Sequence, residues 1–380
     1  MKDINFDNIN LFEIFTKKYN QEMKGMNHAN LVIAGKTGVG KSTLINAAFR
    51  EDIAQTGMGR PVTDEMRVYE KKDFPLRIYD TMGLELDEER REKSLEEIRR
   101  TCQEGKLSND PDKMLHAMWY CVDSNSDRFE QFEADYINGI SKDLDVILVL
   151  TKSFRRKHTD NMIREIEKEY PGLQVKSIQK VLAQDEDIEE CDEDEKPKKA
   201  FGVKNLVEAT AQIIPESAQK AWCNAQKASM ELKVKRAHVL VMSSAAVSFG
   251  EGYIPLPFSD AFALVPTEIA MFAGINAIFG ISVSDYLLQS IVTSLVGTAG
   301  ATFAGRTIVS NLLKMIPGVG TVVGGTISGT TASALTIALG EAYITIMKMI
   351  SEGEIDEHAL ETKEVQDKMQ GIFKENLKKK

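Results

Sequence analysis

The chain of 380 residues has few cysteines, few histidines, two tryptophans and no surplus of basic charge. Its four cysteines, Cys102, Cys121, Cys191 and Cys223, lie far apart with no Cys-x-x-Cys pair, and its five histidines share no metal-ligand spacing. Neither a disulfide framework nor a cysteine and histidine metal site is expected, and the thiols read as reduced ones of a cytosolic compartment. The net charge of −10 runs against a general nucleic-acid binder, which carries a basic surface, so no nucleic-acid partner is expected. The segment from Met1 to Asp7 carries acidic residues where a secretory signal needs a basic start, and no long apolar run follows it. The expected location is the cytoplasm, either free or at the cytoplasmic face of a membrane.

What is present is a strong phosphate-binding pattern. Gly35-Lys36-Thr37-Gly38-Val39-Gly40-Lys41-Ser42 matches G-x-x-x-x-G-K-[ST], after the apolar run Leu31 to Ala34 and before the helix-forming run Thr43 to Ala48. A strand delivers the chain to a glycine turn whose backbone N–H groups converge on phosphate oxygens, and the next helix aims its positive end at the same anion. Lys41 is expected to reach the β- and γ-phosphates and Ser42 to ligate Mg²⁺, with Gly35 to Thr43 lining the site. The chain is therefore expected to bind a nucleoside triphosphate.

The length favours two domains. Residues 1–28 are expected to hold an amphipathic helix packed on the nucleotide domain, since Ile4, Ile9, Phe12, Phe15 and Tyr19 share one helical face. Residues 29–215 alternate apolar strand-like runs with charged helical stretches, the rhythm of a mostly parallel sheet and an α/β fold class. The strand candidates are Asn30 to Ala34, Glu65 to Glu70, Leu76 to Tyr79, Ala117 to Val122, Val146 to Leu150 and Gln174 to Leu182. Asp87 to Cys102 reads as a polar surface helix, and Asp185 to Lys199 as a solvated acidic loop. Residues 216–350 read as an all-α hydrophobic domain with a leading helix, and 351–380 as a charged helical tail. Tyr286 to Gly305 and Met315 to Gly340 carry no formal charge over lengths that can span a bilayer, yet they are rich in Gly, Ser and Thr. Membrane-embedded helices and a soluble bundle both fit that composition.

Two further elements complete the triphosphate site. Asp80 closes the strand Leu76 to Tyr79 and is followed by Thr81-Met82-Gly83, so Asp80 is expected at Mg²⁺ and the Gly83 N–H at the γ-phosphate. Between them Gly57-Met58-Gly59-Arg60-Pro61-Val62-Thr63 offers Thr63, whose hydroxyl can contact Mg²⁺ and whose backbone can contact the γ-phosphate while that phosphate is present. Lys41, Thr63 and Gly83 are the expected catalytic groups, and Ser42, Thr63 and Asp80 the expected metal ligands.

These residues, from Gly35-Lys36-Thr37-Gly38 through Leu44-Ile45-Asn46, then Gly59 to Thr63 and Asp80 to Leu84, resemble the translation-factor class of GTPases, near its Era, septin and immunity-related branches. The resemblance covers roughly residues 29–215 and implies a Ras-like sheet, GTP as substrate and GDP as product, with switch loops at Thr63 and from Asp80 to Asp87. Leu84 stands where Ras-type proteins carry the glutamine that orients water, and an aliphatic side chain cannot do that by hydrogen bonding. Slow turnover follows, relieved by a homodimer across the nucleotide domain or by an external partner. Gly38 stands where potassium-dependent members carry asparagine, which disfavours a potassium route. The family's guanine-reading pattern [NT]-K-x-D is met by Thr151 and Lys152 but not by Phe154, and loss of such an acceptor costs about 1–3 kcal/mol of discrimination. GTP is the substrate the resemblance implies, while ATP or relaxed specificity stays open. The second base loop falls near Ala183-Gln184.

Tyr253 to Ala261, Val265 to Met271, Ile316 to Gly320 and Gly340 to Ile344 resemble the helical domain of unknown function number 697, which often follows a GTPase domain in bacterial proteins. That resemblance, over about residues 236–350, implies a helical domain without settling its role, and the hydrophobicity of the segment is what suggests that it engages a membrane or a partner. A nucleotide-gated binding or membrane-remodelling module and a nonhydrolysing structural or sensor protein remain the rival readings.

Overall fold

Alternating apolar and charged stretches fold, in the computed structural model, into a sheet with helices on both faces and a separate helical unit. Residues 11–51, 60–61, 66–81, 88–126, 128–186, 199–251, 256–257, 265–281, 326–327, 329–356 and short pieces between 362 and 375 are described. The elements are α1 (Leu11–Lys24), β1 (Ala29–Ala34), α2 (Lys41–Ala48), β2 (Arg60–Pro61), β3 (Met66–Glu70), β4 (Leu76–Thr81), α3 (Glu88–Ser108), β5 (Ala117–Asp123), α4 (Gln131–Ile140) and β6 (Val146–Thr151). They continue with α5 (Arg156–Glu169), β7 (Ser177–Lys180), α6 (Val203–Ile213), α7 (Glu216–Ala225), α8 (Met230–Glu251), β8 (Leu256–Pro257), α9 (Val265–Phe279), β9 (Thr326–Ile327) and α10 (Gly329–Ser351). They fall into two compact units, Met26–Ser229 and the combination of Met1–Gly25 with Met230–Lys380.

In the first unit seven strands lie in the order β2-β3-β4-β1-β5-β6-β7. The block β4-β1-β5-β6-β7 is parallel, and β2 and β3 join it antiparallel. The centre is set by composition: Ala29–Ala34 and Val146–Thr151 are buried at every position and, apart from Asn30 and Thr151, are apolar, as strands covered by helices on both faces tend to be. Alternate residues such as Val32, Tyr120 and Leu148 enter one core cluster with Ile98 of α3 and Ile137 of α4. Trp119, one residue out of phase, donates its Nε1–H to Thr210 of α6 at 2.9 Å. The polar helix expected at 87–102 runs on to Ser108 and buries only a narrow stripe of Ser94, Ile98, Cys102 and Gly105.

Two expectations about domain limits change. The first unit extends to Ser229 rather than ending at 215, because Phe49, Trp119 and Trp222 form an aromatic trio with ring centroids 5.4–6.0 Å apart that locks α7 onto the nucleotide sheet. Phe49 also bridges to Gln226. The amphipathic helix α1 groups with the helical unit, where it packs against α9, instead of with the nucleotide sheet.

The second unit gathers α8, α9 and α10 around small residues. A methyl group on Gly340 would meet Val241, and one on Gly274 would meet Leu240, so these glycines permit the close approach of the helices. Polar contacts cross the apolar core: Thr336 Oγ1 lies 2.6 Å from Glu268 Oε1 and 2.9 Å from Ser248 Oγ, and Tyr343 donates its hydroxyl to Asn276 Oδ1 at 2.6 Å. Among the described residues one stretch, Ala332–Ser351, is long and apolar enough to cross a membrane, and 61% of its most apolar window is buried within the protein. The expected charge-free stretch 286–305, and 315–325 of the other, lie outside the described residues.

Candidate active site

The sheet places its crevice where β1 has β4 on one side and β5 on the other, at the carboxyl ends of the strands. The chain leaves β1 at Gly35, whose φ of 136° and contact with β5 exclude any side chain: a methyl there would run into the Cys121 carbonyl oxygen. Gly38 and Gly40 also have positive φ, 80° and 98°, and Gly40, which has no side chain to cap with, opens α2. The first N–H groups of α2 face the turn, the arrangement that suits an anion. Lys41 crosses the same turn, its ammonium donating to the carbonyls of Gly35 at 2.8 Å and Lys36 at 3.1 Å.

Asp80 stands near the end of β4, in register with Ile33 of β1 and Arg67 of β3. Its Oδ1 is buried and has no hydrogen-bond partner among the described residues. Burial raises the carboxyl pKa above its usual value, and the charges of Lys41 and Arg67 pull it back in part. Ser42 is exposed at the start of α2. A hydroxyl and a buried carboxylate oxygen lacking a partner are hard oxygen donors, and they fit Mg²⁺, which takes one or two protein ligands and fills its octahedron with water and phosphate. No cluster of three or more His, Cys, Asp or Glu that could cage a metal occurs among the described residues. Thr63 and Gly83 lie outside the described residues, as do Met82 and Leu84.

The turn after β6 comes back to the glycine loop. Thr151 is buried, with its Oγ1 2.5 Å from the Val39 carbonyl and 3.0 Å from that of Val122. Lys152 adopts φ 52°, and its stem lies over Gly40, with Cε 3.8 Å from where a Cβ on that glycine would be. Its ammonium pairs with Asp123 at 2.8 Å. Burial pushes the Asp123 carboxyl up, but the Lys152 ammonium and the Asn125 N–H groups together hold it below the usual carboxylate range. Ser153 donates its N–H to the Val181 carbonyl, which ties this turn to the segment Leu182-Ala183-Gln184 after β7. Phe154 is half-buried beneath the Arg155 guanidinium, 5.7 Å from the ring centroid.

Two features of this site were not anticipated from the sequence. Asp123 had a signal, an acid at the carboxyl end of a buried strand followed by Ser124-Asn125, but nothing in the sequence paired it with Lys152. Lys36 enters the loop through its carbonyl, while its ammonium turns away to Glu130 at 3.0 Å and to the buried Glu133 at 3.8 Å. Burial is the main reason the Glu133 carboxyl is raised, with the Glu130 N–H and Lys36 opposing it. A cavity of about 200 Å³ opens beside these groups, lined by Lys36, Thr37, Gly38, Val39, Asp123 and Glu133 among others. Thr37 and Thr43 are exposed.

Residues 30–199 match the family described as 50S ribosome-binding GTPase. The magnetosome membrane protein 22 of Magnetospirillum gryphiswaldense is 32% identical over 91 residues, 24% of this chain and 47% of that protein. The chain thus spans about half the length of this curated relative. Among solved structures, a probable GTP-binding protein engB is 19% identical, covering 41% of this chain and 89% of that one with a TM-score of 0.31. A bacterial selenocysteine-specific elongation factor EF-Sec is 18% identical, covering 50% of this chain and 29% of that one with a TM-score of 0.29. The elongation factor SelB of Methanococcus maripaludis, in complex with the GTP analogue GPPNHP, is 14% identical over 42% of this chain and 30% of that one, with a TM-score of 0.26. Residues 30–199, less than half of the chain, are the part that is similar to this GTPase family.

Proposed function

We propose that the chain binds GTP with Mg²⁺ and hydrolyses it to GDP and phosphate, using the helical unit to engage a membrane or a protein partner. The observation that carries this reading is that Lys41 stretches across the glycine turn while Asp80, on the neighbouring strand, keeps a buried Oδ1 without a partner among the described residues. Hydrolysis is phosphoryl transfer to water, in which positioning and charge neutralisation do most of the catalysis. Lys41 would exchange its two loop carbonyls for β- and γ-phosphate oxygens, and the N–H groups of Gly38 to Ser42 would hold the phosphates from below. Ser42 and Asp80 would hold Mg²⁺, joined by Thr63 while the γ-phosphate is present. When bound, the metal ion neutralises charge that develops on the β- and γ-oxygens. Gly83 would meet the γ-phosphate through its backbone, and Thr151 and Lys152 would seat the base side of the nucleotide against Val39 and Gly40.

Leu84 offers no hydrogen bond to water, so the isolated chain is expected to turn over slowly and to speed up with protein concentration if a second copy completes the site. Phosphate release from GTP, followed over a range of protein concentrations, tests both points. Release should require Mg²⁺ and vanish in Lys41→Ala; release that survives that substitution would overturn the assignment. Flotation with liposomes, with GDP and with a nonhydrolysable GTP analogue, tests the output. Nucleotide-dependent flotation supports the membrane version, and identical soluble behaviour in both states leaves the protein-partner version.

A further inference from the structure

Guanine and adenine differ where they can be read: guanine presents N–H donors at N1 and N2, and only a hydrogen-bond acceptor, best a carboxylate, rewards them. The side chains of the turn after β6 offer no carboxylate. Ser153 is fully buried and donates its hydroxyl to the Leu150 carbonyl at 2.7 Å, and the next side chains are the Phe154 ring and the Arg155 guanidinium. Three described carboxylates near this turn each already hold a partner. Asp123 holds the Lys152 ammonium and two Asn125 N–H groups, Asp160 holds Lys180 at 2.7 Å, and Asp185 accepts the Ala200 N–H at 2.7 Å. The turn itself is nonetheless formed: Thr151 is anchored to Val39, Lys152 lies over Gly40, and the Phe154 N–H reaches back to the Lys152 carbonyl at 2.8 Å. What stands at its exposed side is a half-buried aromatic ring with a cation over it.

We propose that this turn holds the base by stacking on the Phe154–Arg155 platform instead of by reading its edge, so that the site takes GTP and ATP with similar affinity. Stacking is indifferent to the hydrogen-bonding edge because every base has a π-face, and a guanidinium strengthens it. The aliphatic stem of Lys152 forms a second apolar wall that is equally blind to the base. The inference rests on the nucleotide reading above and widens it from GTP to purine nucleoside triphosphates.

Displacement of a fluorescent GTP analogue from the full chain by GTP and by ATP, both with Mg²⁺, tests it. The expected result is that the two affinities agree within about fivefold, as stacking without edge readout allows. Phe154→Ala should weaken both nucleotides by a similar factor, since it removes the shared platform. Phe154→Asp should instead separate them, raising the preference for GTP by about tenfold or more as a carboxylate gains the guanine donors. A wild-type preference for GTP beyond that range of about fivefold would overturn the inference while leaving GTP binding intact, because an edge-reading acceptor would then be at work. A loss confined to GTP in Phe154→Ala would overturn it as well. If the analogue itself does not bind, the nucleotide reading fails and the inference falls with it.

Discussion

The hydroxyl of Thr151 bonds to the carbonyl of Val39, a residue 112 positions earlier, at 2.5 Å, and the same oxygen lies 3.0 Å from the Val122 carbonyl. One buried side chain thereby fixes the glycine loop to two strands. Thr151→Val keeps the shape and removes the hydroxyl, leaving the Val39 carbonyl without that donor at a cost of about 1–3 kcal/mol. Both tryptophans, Trp119 and Trp222, lie in the nucleotide unit, so tryptophan fluorescence during chemical unfolding measures that loss without interference from the helical unit. Thr151→Ser, which keeps the donor, should retain most of the stability.

Gly35→Ala should harm the fold through steric conflict alone. The new methyl would collide with the Cys121 carbonyl at a backbone φ of 136°, and a strained position of this kind costs about 1–3 kcal/mol. Gly172→Ala is the matched control, since no atom of the described residues lies within 4 Å of its Cβ position, and a substitution there should stay within about 0.5 kcal/mol. Equal stability of the two variants would contradict the close packing of loop on strand.

Stability of the nucleotide unit should fall on mild acidification because of His116. Its ring is buried and its Nδ1 accepts the Asn30 N–H at 2.9 Å, which requires an unprotonated nitrogen. Burial lowers its pKa from 6.5 to about 4, with a hydrogen bond to Pro111 and the charge of Asp112 opposing. A base depressed in the folded state contributes stability that is fully present above 6.5 and is lost as the pH falls towards about 4. Asp112 titrates below that window, at about 2, since hydrogen bonds from His28 and Arg77 outweigh the effect of its burial. Unfolding midpoints between pH 7 and 4 should therefore drop less steeply in His116→Asn, which keeps an acceptor and cannot titrate.

In the helical unit Thr336→Val should be costly although nearly isosteric. The hydroxyl sits between Glu268 of α9 and Ser248 of α8, and its removal deprives two buried oxygens of a partner, for about 1–3 kcal/mol. Hydrogen exchange of α8, α9 and α10 reads this unit separately. Faster exchange confined to those helices is the expected outcome, and no change would mean that the contact is dispensable.

How much was legible depended on range along the chain. The buried strands β1, β5 and β6 announced themselves because a fully covered parallel strand tends to be apolar along most of its length. The glycine loop was legible because its chemistry is local: eight consecutive residues contain the turn, the lysine and the helix start. The acid at Asp80 was legible by its place at a strand end. The two-residue strand β2 was not, since Arg60-Pro61 carries turn residues and owes its pairing with β3 to the tertiary fold. Asp123 and the turned-away Lys36 were hidden for the same reason, as their partners lie 29 and 94 positions distant and no local pattern records the pairing. The fate of α1 and α7 was misjudged because an amphipathic face states that a helix has a partner and not which one.

That α1 packs with α9 has a consequence for synthesis. The first helix emerges from the ribosome long before residues 265–279 exist, and the whole nucleotide unit is translated in between. The apolar face of α1, with Phe15 almost fully covered in the finished protein, must wait exposed through that interval. The nucleotide sheet, continuous from Met26 to Ser229, can close meanwhile. The helical unit is thus assembled last, by a loop closure that spans an already folded domain, and the apolar face of the nascent α1 needs shielding from aggregation until then.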